Sequence, residues 1–430
     1  GKTQITAATI TVVSSGNALP TAAVVDHDGV ASRDDDAALE KVEGMRVTFS
    51  DTLSVSEYFR LFRFGEIVLT EGGRPFQFTQ ENAPDAAGFA AHLAELDGRR
   101  IILDDGSTTQ NRAINAAFAD ADQLILMPNG EPLSLTNFIR GGDTITNLTG
   151  VLDHAFGAWR VRPTATANTV VSENPRPAAP ADVGGMLKVA SFNVLNYIST
   201  IDDGANGARG ADSAAEHDRQ TDKRVSALLG LDADILGLVE IENEFADLNG
   251  DGAMAIQTLI DALNAADPGA GWTRVDPGRA MVDMSDAIST AVIYRSVSVK
   301  LTPGTTVEIL EDADLAGRGL GGLGPVFDGA NTNRAALAAT FTEKATGERV
   351  TITTNHFKSK GGTGTGDDAD QGDGAGAFNG IRTRAAEALD AWLDSDPTGS
   401  GDARILILGD LNAYAQEAPV QTLLVEGCTD

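Results

Sequence analysis

Cysteine is nearly absent from this 430-residue chain, and the single Cys428 excludes an internal disulfide framework and any metal site built from several thiolates. Cations are scarce too: 8 Lys and 24 Arg stand against 62 Asp+Glu, for a formal charge of −30. An acidic surface repels phosphodiester backbones, so on charge alone a nucleic-acid partner is disfavoured. No apolar run approaches the roughly 20 residues that a bilayer span needs, which excludes a membrane-spanning helix. The shortage of Lys beside abundant acid suits salty surroundings, where self-repulsion is screened, and so a marine or extracellular setting. Gly1 is no initiator Met and no charged-then-apolar leader follows it, so the chain reads as a fragment of a longer protein.

What remains is a globular composition, 42% hydrophobic and 22% charged, in a chain long enough for two or three domains. Residues 1–165 read as a β-rich domain, truncated at its start. Short β-branched or alternating runs recur at Thr9–Val13, Arg46–Phe49, Gly65–Leu69, Arg100–Leu103, Asp143–Leu148 and Trp159–Val161. Turn residues separate them and no strong helix signal intervenes, so a small barrel or sandwich is expected. Residues 166–185, with Pro175, Pro177 and Pro180 before Gly184-Gly185, read as a stiff linker. From 186 to 430 the texture changes. Strand-like runs at Leu187–Leu195, Ile235–Ile241, Thr290–Tyr294, Arg334–Phe341, Val350–Phe357 and Arg404–Leu408 alternate with helical periodicity in Arg219–Leu229, Ala253–Leu263 and Ile381–Leu393. This predicts an α/β or α+β domain.

Four of those apolar strands carry or end in a polar group that a core strand does not need. Asn193 lies inside Ser191–Asn196, Glu240 and Glu242 close Leu236–Asn243, His356 precedes Lys358 and Lys360, and Asp410 precedes Asn412. Taken singly, each is an ordinary strand end or cap. Together they form an oxygen-rich set with one imidazole, suited to Mg²⁺ rather than zinc, and such a site polarises a phosphoryl oxygen and orients water. Residues two apart on a strand share a face, so Asp410 with Asn412, Glu240 with Glu242, and Lys358 with Lys360 are each expected to point together if the strands continue.

The blocks Ser191-Phe192-Asn193-Val194-Leu195-Asn196-Tyr197, Leu238-Val239-Glu240-Ile241-Glu242-Asn243, Asn355-His356-Phe357-Lys358-Ser359-Lys360-Gly361 and Gly409-Asp410-Leu411-Asn412-Ala413-Tyr414 occur in that order. Over about residues 187–426 the chain resembles the endonuclease/exonuclease/phosphatase superfamily, more narrowly the bacterial extracellular nucleases of the ExeM type. The resemblance implies an α+β, deoxyribonuclease I-like sandwich of two packed sheets flanked by helices. It implies a secreted or cell-surface hydrolase of DNA or RNA that uses Mg²⁺ or Mn²⁺. By the same resemblance Glu240 is the principal metal ligand, with Asn193 in the metal's shell and orienting phosphate. Asp410 positions or deprotonates water, Asn412 holds phosphate and His356 stabilises the phosphorane charge. Arg334 and Tyr294 fall on the family's substrate-facing motifs. Lys358 and Lys360, two of only eight Lys, read as a phosphate clamp, and Glu242 as a supporting group. The softer blocks Gly44–Val47, Leu103–Ser107 and Gly142-Asp143 resemble an OB-like domain ahead of such nucleases, with Tyr58, Phe59, Phe62 and Phe64 as a stacking platform or plain core.

Two departures accompany the likeness. The family's last motif, an Asp-His pair, has no counterpart after Asp410, which implies truncation at the C-terminus, and the Cys pair that usually flanks the 361–380 loop is missing. Asp247, Asn249 and Asp251 have the D-x-N-x-D-G start of a calcium loop, but Thr258 stands where the bidentate Glu belongs. Asp367–Asp373 is a solvated loop or a second cation site. Gly317–Gly322 fits G-x-G-x-x-G without the strand and helix that the motif requires. Two rivals stand beside the nuclease reading: a phosphatase or phosphodiesterase for a small or lipid phosphate, and a non-catalytic module that binds nucleic acid or matrix. If the acid serves partly to hold cations at one cleft, cleavage should tolerate salt better than that of a basic nuclease. A steep fall in plasmid cleavage between low and moderate salt would contradict this.

Overall fold

The computed structural model describes residues 9–26, 36–107, 110, 125–131, 133–134, 136–164, 168–206, 208–243, 254–278, 286–425 and 427–429. The chain divides into two compact units, 1–77 with 87–177, and 78–86 with 178–430.

The first unit is built on an eight-stranded mixed sheet in the order Ala23–Val25, Arg46–Phe49, Thr149–Ala155, Ala158–Pro163, Arg100–Asp104, Glu66–Glu71, Leu53–Glu57 and Thr144–Ile145. Val47, Phe49, Leu53, Ile67, Leu103 and Val161 form its buried core. Arg160 is almost wholly buried there and is paired with Glu66 at 3.0 Å and Asp104 at 2.6 Å, which offsets the cost of burying charge.

Several expectations need correction in this unit. Residues 9–13 form no strand, and Ile10, Val12 and Val13 are exposed: a β-branched run with no partner strand has nothing to pair with. A 14-residue helix, Ala86–Arg99, stands where none was expected, because its Ala, Leu and Glu content favours helix whatever it buries. The strand read at 143–148 breaks at Asn147, whose φ of 52° is left-handed, and pairing resumes at Thr149. The linker starts later than residue 166, since Asn168–Thr169 pairs with Ile125–Leu126 and Val171 bridges Thr144. Of the aromatic platform, Tyr58 and Phe59 are exposed, Phe62 packs on the core, and Phe64 lies under Arg60 and Arg63.

The second unit is mixed α+β with two packed sheets. One sheet runs Val189–Tyr197, Ile235–Glu242, Ile288–Arg295, Trp272–Arg274, with the first pair parallel. The other runs Val299–Leu301, Arg334–Glu343, Arg349–His356, Ile405–Asp410, with the last pair parallel, and Glu308–Leu310 joins Arg334–Glu343. Their inner faces share a core of Ile235, Val292, Leu337, Ala339 and Ile352. Helices Ala214–Leu231 and Ala255–Ala266 cover the outer face of the first sheet, and Asn379–Asp394 and Ala418–Val425 that of the second. The expected strands and helices of this region are all present, with ends shifted by up to a few residues. Among the described residues no helix is long and apolar enough to cross a membrane.

Two glycines let these elements close. A Cβ on Gly237 would stand 2.7 Å from the Thr354 hydroxyl of the facing sheet, so the sheets approach there more closely than side chains permit. Gly409 has a φ of 120°, and a Cβ on it would lie 1.9 Å from the Asn355 carbonyl oxygen. Gly409→Ala should therefore cost about 2–4 kcal/mol through overpacking and backbone strain, read as a lower urea midpoint for the second unit. A midpoint within error of the parent would refute this geometry.

Candidate active site

The functional side chains gather where strands of the two sheets end. Pairing sets one row: Arg334 lies opposite His356, and His356 lies beside Asp410 on the parallel neighbour. In the facing sheet Asn193 pairs with Val239, which puts it next to Glu240. His356 is within electrostatic reach of Arg334, Asp410, Glu240 and Asp286 together, so both sheets address one place.

Glu240 is presented by a bulge rather than by regular strand. Its φ is 65°, and pairing shifts register between Val239 and Ile241. Bulges of this kind re-aim side chains beside active sites. The Asn193 amide donates to Glu240 Oε1 at 2.9 Å, and the Asn196 backbone N–H donates to Oε2 at 3.0 Å. Asn193 Oδ1 in turn accepts the Leu195 N–H at 2.7 Å. Leu195 and Asn196 are both left-handed, and that turn is held by Arg224, which is buried and donates to the Val194 and Leu195 carbonyls at 2.7 and 3.1 Å. The bulge also breaks the parity expected of Glu240 and Glu242. Glu242 is turned to Ser199 and accepts its N–H at 2.7 Å and its hydroxyl at 2.5 Å.

Asp410 ends its strand, so the parity argument fails for Asn412 as well. Asn412 is left-handed, its N–H donates to Asp410 Oδ1 at 2.8 Å, and its amide donates to the Phe357 carbonyl at 3.0 Å. Asp410, Asn193 and Ser191 line a cavity of about 640 Å³ together with Gln80. Gln80 belongs to the short segment 78–86 of this unit, where Thr79 donates to the fully buried Glu417 at 2.6 Å.

The two lysines are parted because the strand stops at His356. Lys358 lies over the Phe378 ring at 4.5 Å and lines a second cavity with Arg334. Its backbone is clamped by Asn333, whose Oδ1 accepts the Lys358 N–H at 2.8 Å, and by Arg382, which donates to its carbonyl at 3.2 Å. Lys360 instead pairs with Glu417 and lies over Tyr414. Tyr294 is not brought to the site. It pairs with Ile235, at the far end of the strand from Glu240, and packs edge-on against Phe341. The calcium-loop residues Asp247, Asn249 and Asp251 lie outside the described residues. The acids of the 367–373 loop are occupied structurally: Arg384 pairs with Asp367 at 2.5 Å and Asp368 at 3.0 Å, and Asp368 also accepts the Ile381 N–H at 2.6 Å. Arg209, Arg224, Asp286, Gln80 and Glu417 were not foreseen.

The donor set suits a hard divalent cation without enclosing one. Among the described residues no three His, Cys, Asp or Glu side chains gather to hold a metal alone. Mg²⁺ commonly binds through one or two carboxylates and keeps its waters and a substrate phosphate as further ligands. Glu240 and Asp410, with the amide of Asn193 beside them, meet that requirement. Opposite them are anion donors without partners: Arg334 Nε and Nη1 and His356 Nδ1 are buried and make no hydrogen bond to any described residue. Buried donors left open in this way cost free energy unless a ligand takes them.

No family model and no curated protein matches this chain. Solved structures do. An endonuclease/exonuclease/phosphatase family protein from Bacteroides thetaiotaomicron is 16% identical over 56% of this chain and 67% of its own, with a TM-score of 0.36. A mannosyl-6-phosphatase from the same organism is also 16% identical, over 56% and 71%, at 0.35. TDP2 from D. rerio, complexed with a single-strand DNA product, is 14% identical over 55% and 64%, at 0.29. These scores are low, and the functional reading stands on the site's own residues.

Burial, and after it Arg334, pushes the His356 imidazole down from 6.5 to about 4, against the pull of Asp410 and Glu240. The imidazole is therefore neutral near pH 7. Between 6.5 and about 4 the unfolded chain takes up a proton that the folded one refuses. Stability is thus full above 6.5 and falls as the solution is acidified, by on the order of 3 kcal/mol at pH 4. In chelator, His356→Gln should show a smaller drop in urea midpoint than the parent between pH 7 and about pH 4.5. Equal drops in the two proteins would refute the assignment.

Proposed function

We propose that the second unit is a divalent-metal-dependent hydrolase of phosphodiester bonds in nucleic acid, of the endonuclease/exonuclease/phosphatase superfamily and the secreted bacterial nuclease type. The observation that supports it is the meeting of Glu240 from one sheet and Asp410 from the other with the unpartnered nitrogens of Arg334 and His356 where their strands end. The carboxylates hold Mg²⁺ or Mn²⁺, and the open donors take the substrate's phosphoryl oxygens. The first unit is read as an OB-like companion domain.

A bound cation at Glu240 would draw charge from the phosphoryl group and lower the cost of the pentavalent transition state. Asn193 and the Asn196 N–H fix the Glu240 carboxylate before substrate arrives, so no binding energy is spent arranging it. Asp410 lines the adjoining cavity and accepts a proton from the attacking water. The water oxygen forms the new P–O bond, the bond to the leaving oxygen breaks, and that oxygen takes a proton from solvent. Neutral His356 donates a hydrogen bond to a non-bridging oxygen, and Arg334 supplies the positive charge that compensates the phosphorane.

Glu240→Gln and Asp410→Asn should each reduce cleavage of supercoiled plasmid by about 10²–10⁴-fold, and chelator should abolish the parent's activity. Turnover of the variants within a few-fold of the parent would remove the assignment. A small monoester cleaved faster than plasmid would replace it with the phosphatase reading.

A further inference from the structure

Beside the row Arg334–His356–Asp410 lies a separate cavity of about 590 Å³, within the range that encloses small-molecule ligands. Its lining includes Arg209, Asp286, Asn331, Asn333, Arg334 and Lys358. In a chain of net charge −30, three cationic side chains here face a single carboxylate. Asp286 bridges the two arginines, taking Arg334 Nη2 on Oδ2 at 2.5 Å and Arg209 on Oδ1. Burial pushes Asp286 up, but Arg334 and Arg209 outweigh it and hold its carboxyl below the usual range, so it stays charged. One anion cannot neutralise two guanidiniums and an ammonium. Arg334, nine-tenths buried, also keeps Nε and Nη1 without a hydrogen-bond partner among the described residues. The Arg209 side chain is 46% exposed and reaches Asp286 from outside the sheet edge.

Resting on the phosphodiesterase reading above, we infer that this cavity is a second phosphate subsite, which holds the backbone phosphate next to the scissile one in a polynucleotide strand. Arg334 lines this cavity and pairs opposite His356, while Arg209 and Lys358 line the cavity with it. A guanidinium presents planar paired donors that fit a phosphate, and one already oriented by a carboxylate loses little entropy on binding it. A substrate with a single phosphate leaves Arg209 unused. A polymer uses it, and its favoured class is therefore a nucleic-acid strand rather than a small phosphate.

The test is binding in the Asp410→Asn background with Mg²⁺, so that no cleavage intervenes. The probes are a fluorescent single-stranded oligonucleotide of about a dozen nucleotides and a dinucleoside monophosphate. Arg209→Gln should weaken oligonucleotide binding about 5–10-fold and reduce the slope of log K against log salt by about one, while dinucleoside binding shifts by less than about twofold. Arg209→Lys keeps the charge, so it should keep the slope. The inference is overturned if the oligonucleotide does not bind the background protein, if Arg209→Gln leaves it unchanged, or if both probes weaken equally. It is overturned too if Arg209→Lys matches Arg209→Gln, since that outcome means lost positioning of Asp286 rather than lost charge. Parent cleavage of plasmid with Mg²⁺ is measured separately. Its absence defeats the underlying reading, whereas cleavage with no Arg209 effect on oligonucleotide binding defeats the subsite alone.

Discussion

The close facing of two sheets is the constraint on which the second unit depends. Glu240 rides on one sheet and His356 with Asp410 on the other, so no pairing within either sheet can bring them together. The inner faces must pack tightly, and they do so at Gly237, where the Thr354 hydroxyl stands in the space a side chain would fill. The Thr290 hydroxyl fastens the same interface by donating to the Ala335 carbonyl at 3.0 Å. Opening this interface even modestly would separate a carboxylate from the imidazole whose electrostatics it shares. Packing here decides chemistry, because electrostatic coupling falls with distance while a close-packed core hardly deforms.

Around that constraint, charge is distributed by local partnership. The chain is strongly acidic, yet much of the acid near the site is committed to cations: Asp286 to two arginines, Glu417 to Lys360, and Asp367 and Asp368 to Arg384. At the strand ends, Arg334 Nε and Nη1 and His356 Nδ1 keep no hydrogen-bond partner among the described residues, while Asn193 and Asn196 hold the two Glu240 oxygens and Asp410 Oδ1 accepts the Asn412 N–H. On the proposed function, this reconciles a net charge that repels nucleic acid with a cleft that takes a phosphate. Long-range charge affects encounter, and the immediate partners of a few groups determine what is bound.

Much of the second unit was legible from sequence, since buried strands and amphipathic helices announce themselves by periodicity. The strands bearing Asn193, Glu240, His356 and Asp410 appear where the apolar runs place them. The first unit was less legible: the helix Ala86–Arg99 and the unpaired Thr9–Val13 both escape a reading based on β-branched runs. Parity failed for a different reason. It assumes that strands continue, and at Glu240, Lys358 and Asn412 they bulge or stop. Tyr294 shows the same limit, because a residue on a strand that serves the site can still lie at that strand's far end.

The sequence by itself determined which strands would carry polar ends and that those ends were rich in oxygen donors with one imidazole. It also raised the expectation of a hard metal there, since residue chemistry needs no coordinates. Tertiary structure alone decided which of those groups meet. It turned Glu242 to Ser199 and Lys360 to Glu417, and it brought in Arg209, Asp286 and Arg224 from loops and helices that no spacing rule connects to the motifs. The reason is physical. Strand pairing and sheet packing set distances between residues far apart in the chain, and a side chain's role depends on the partners found within a few ångströms of it.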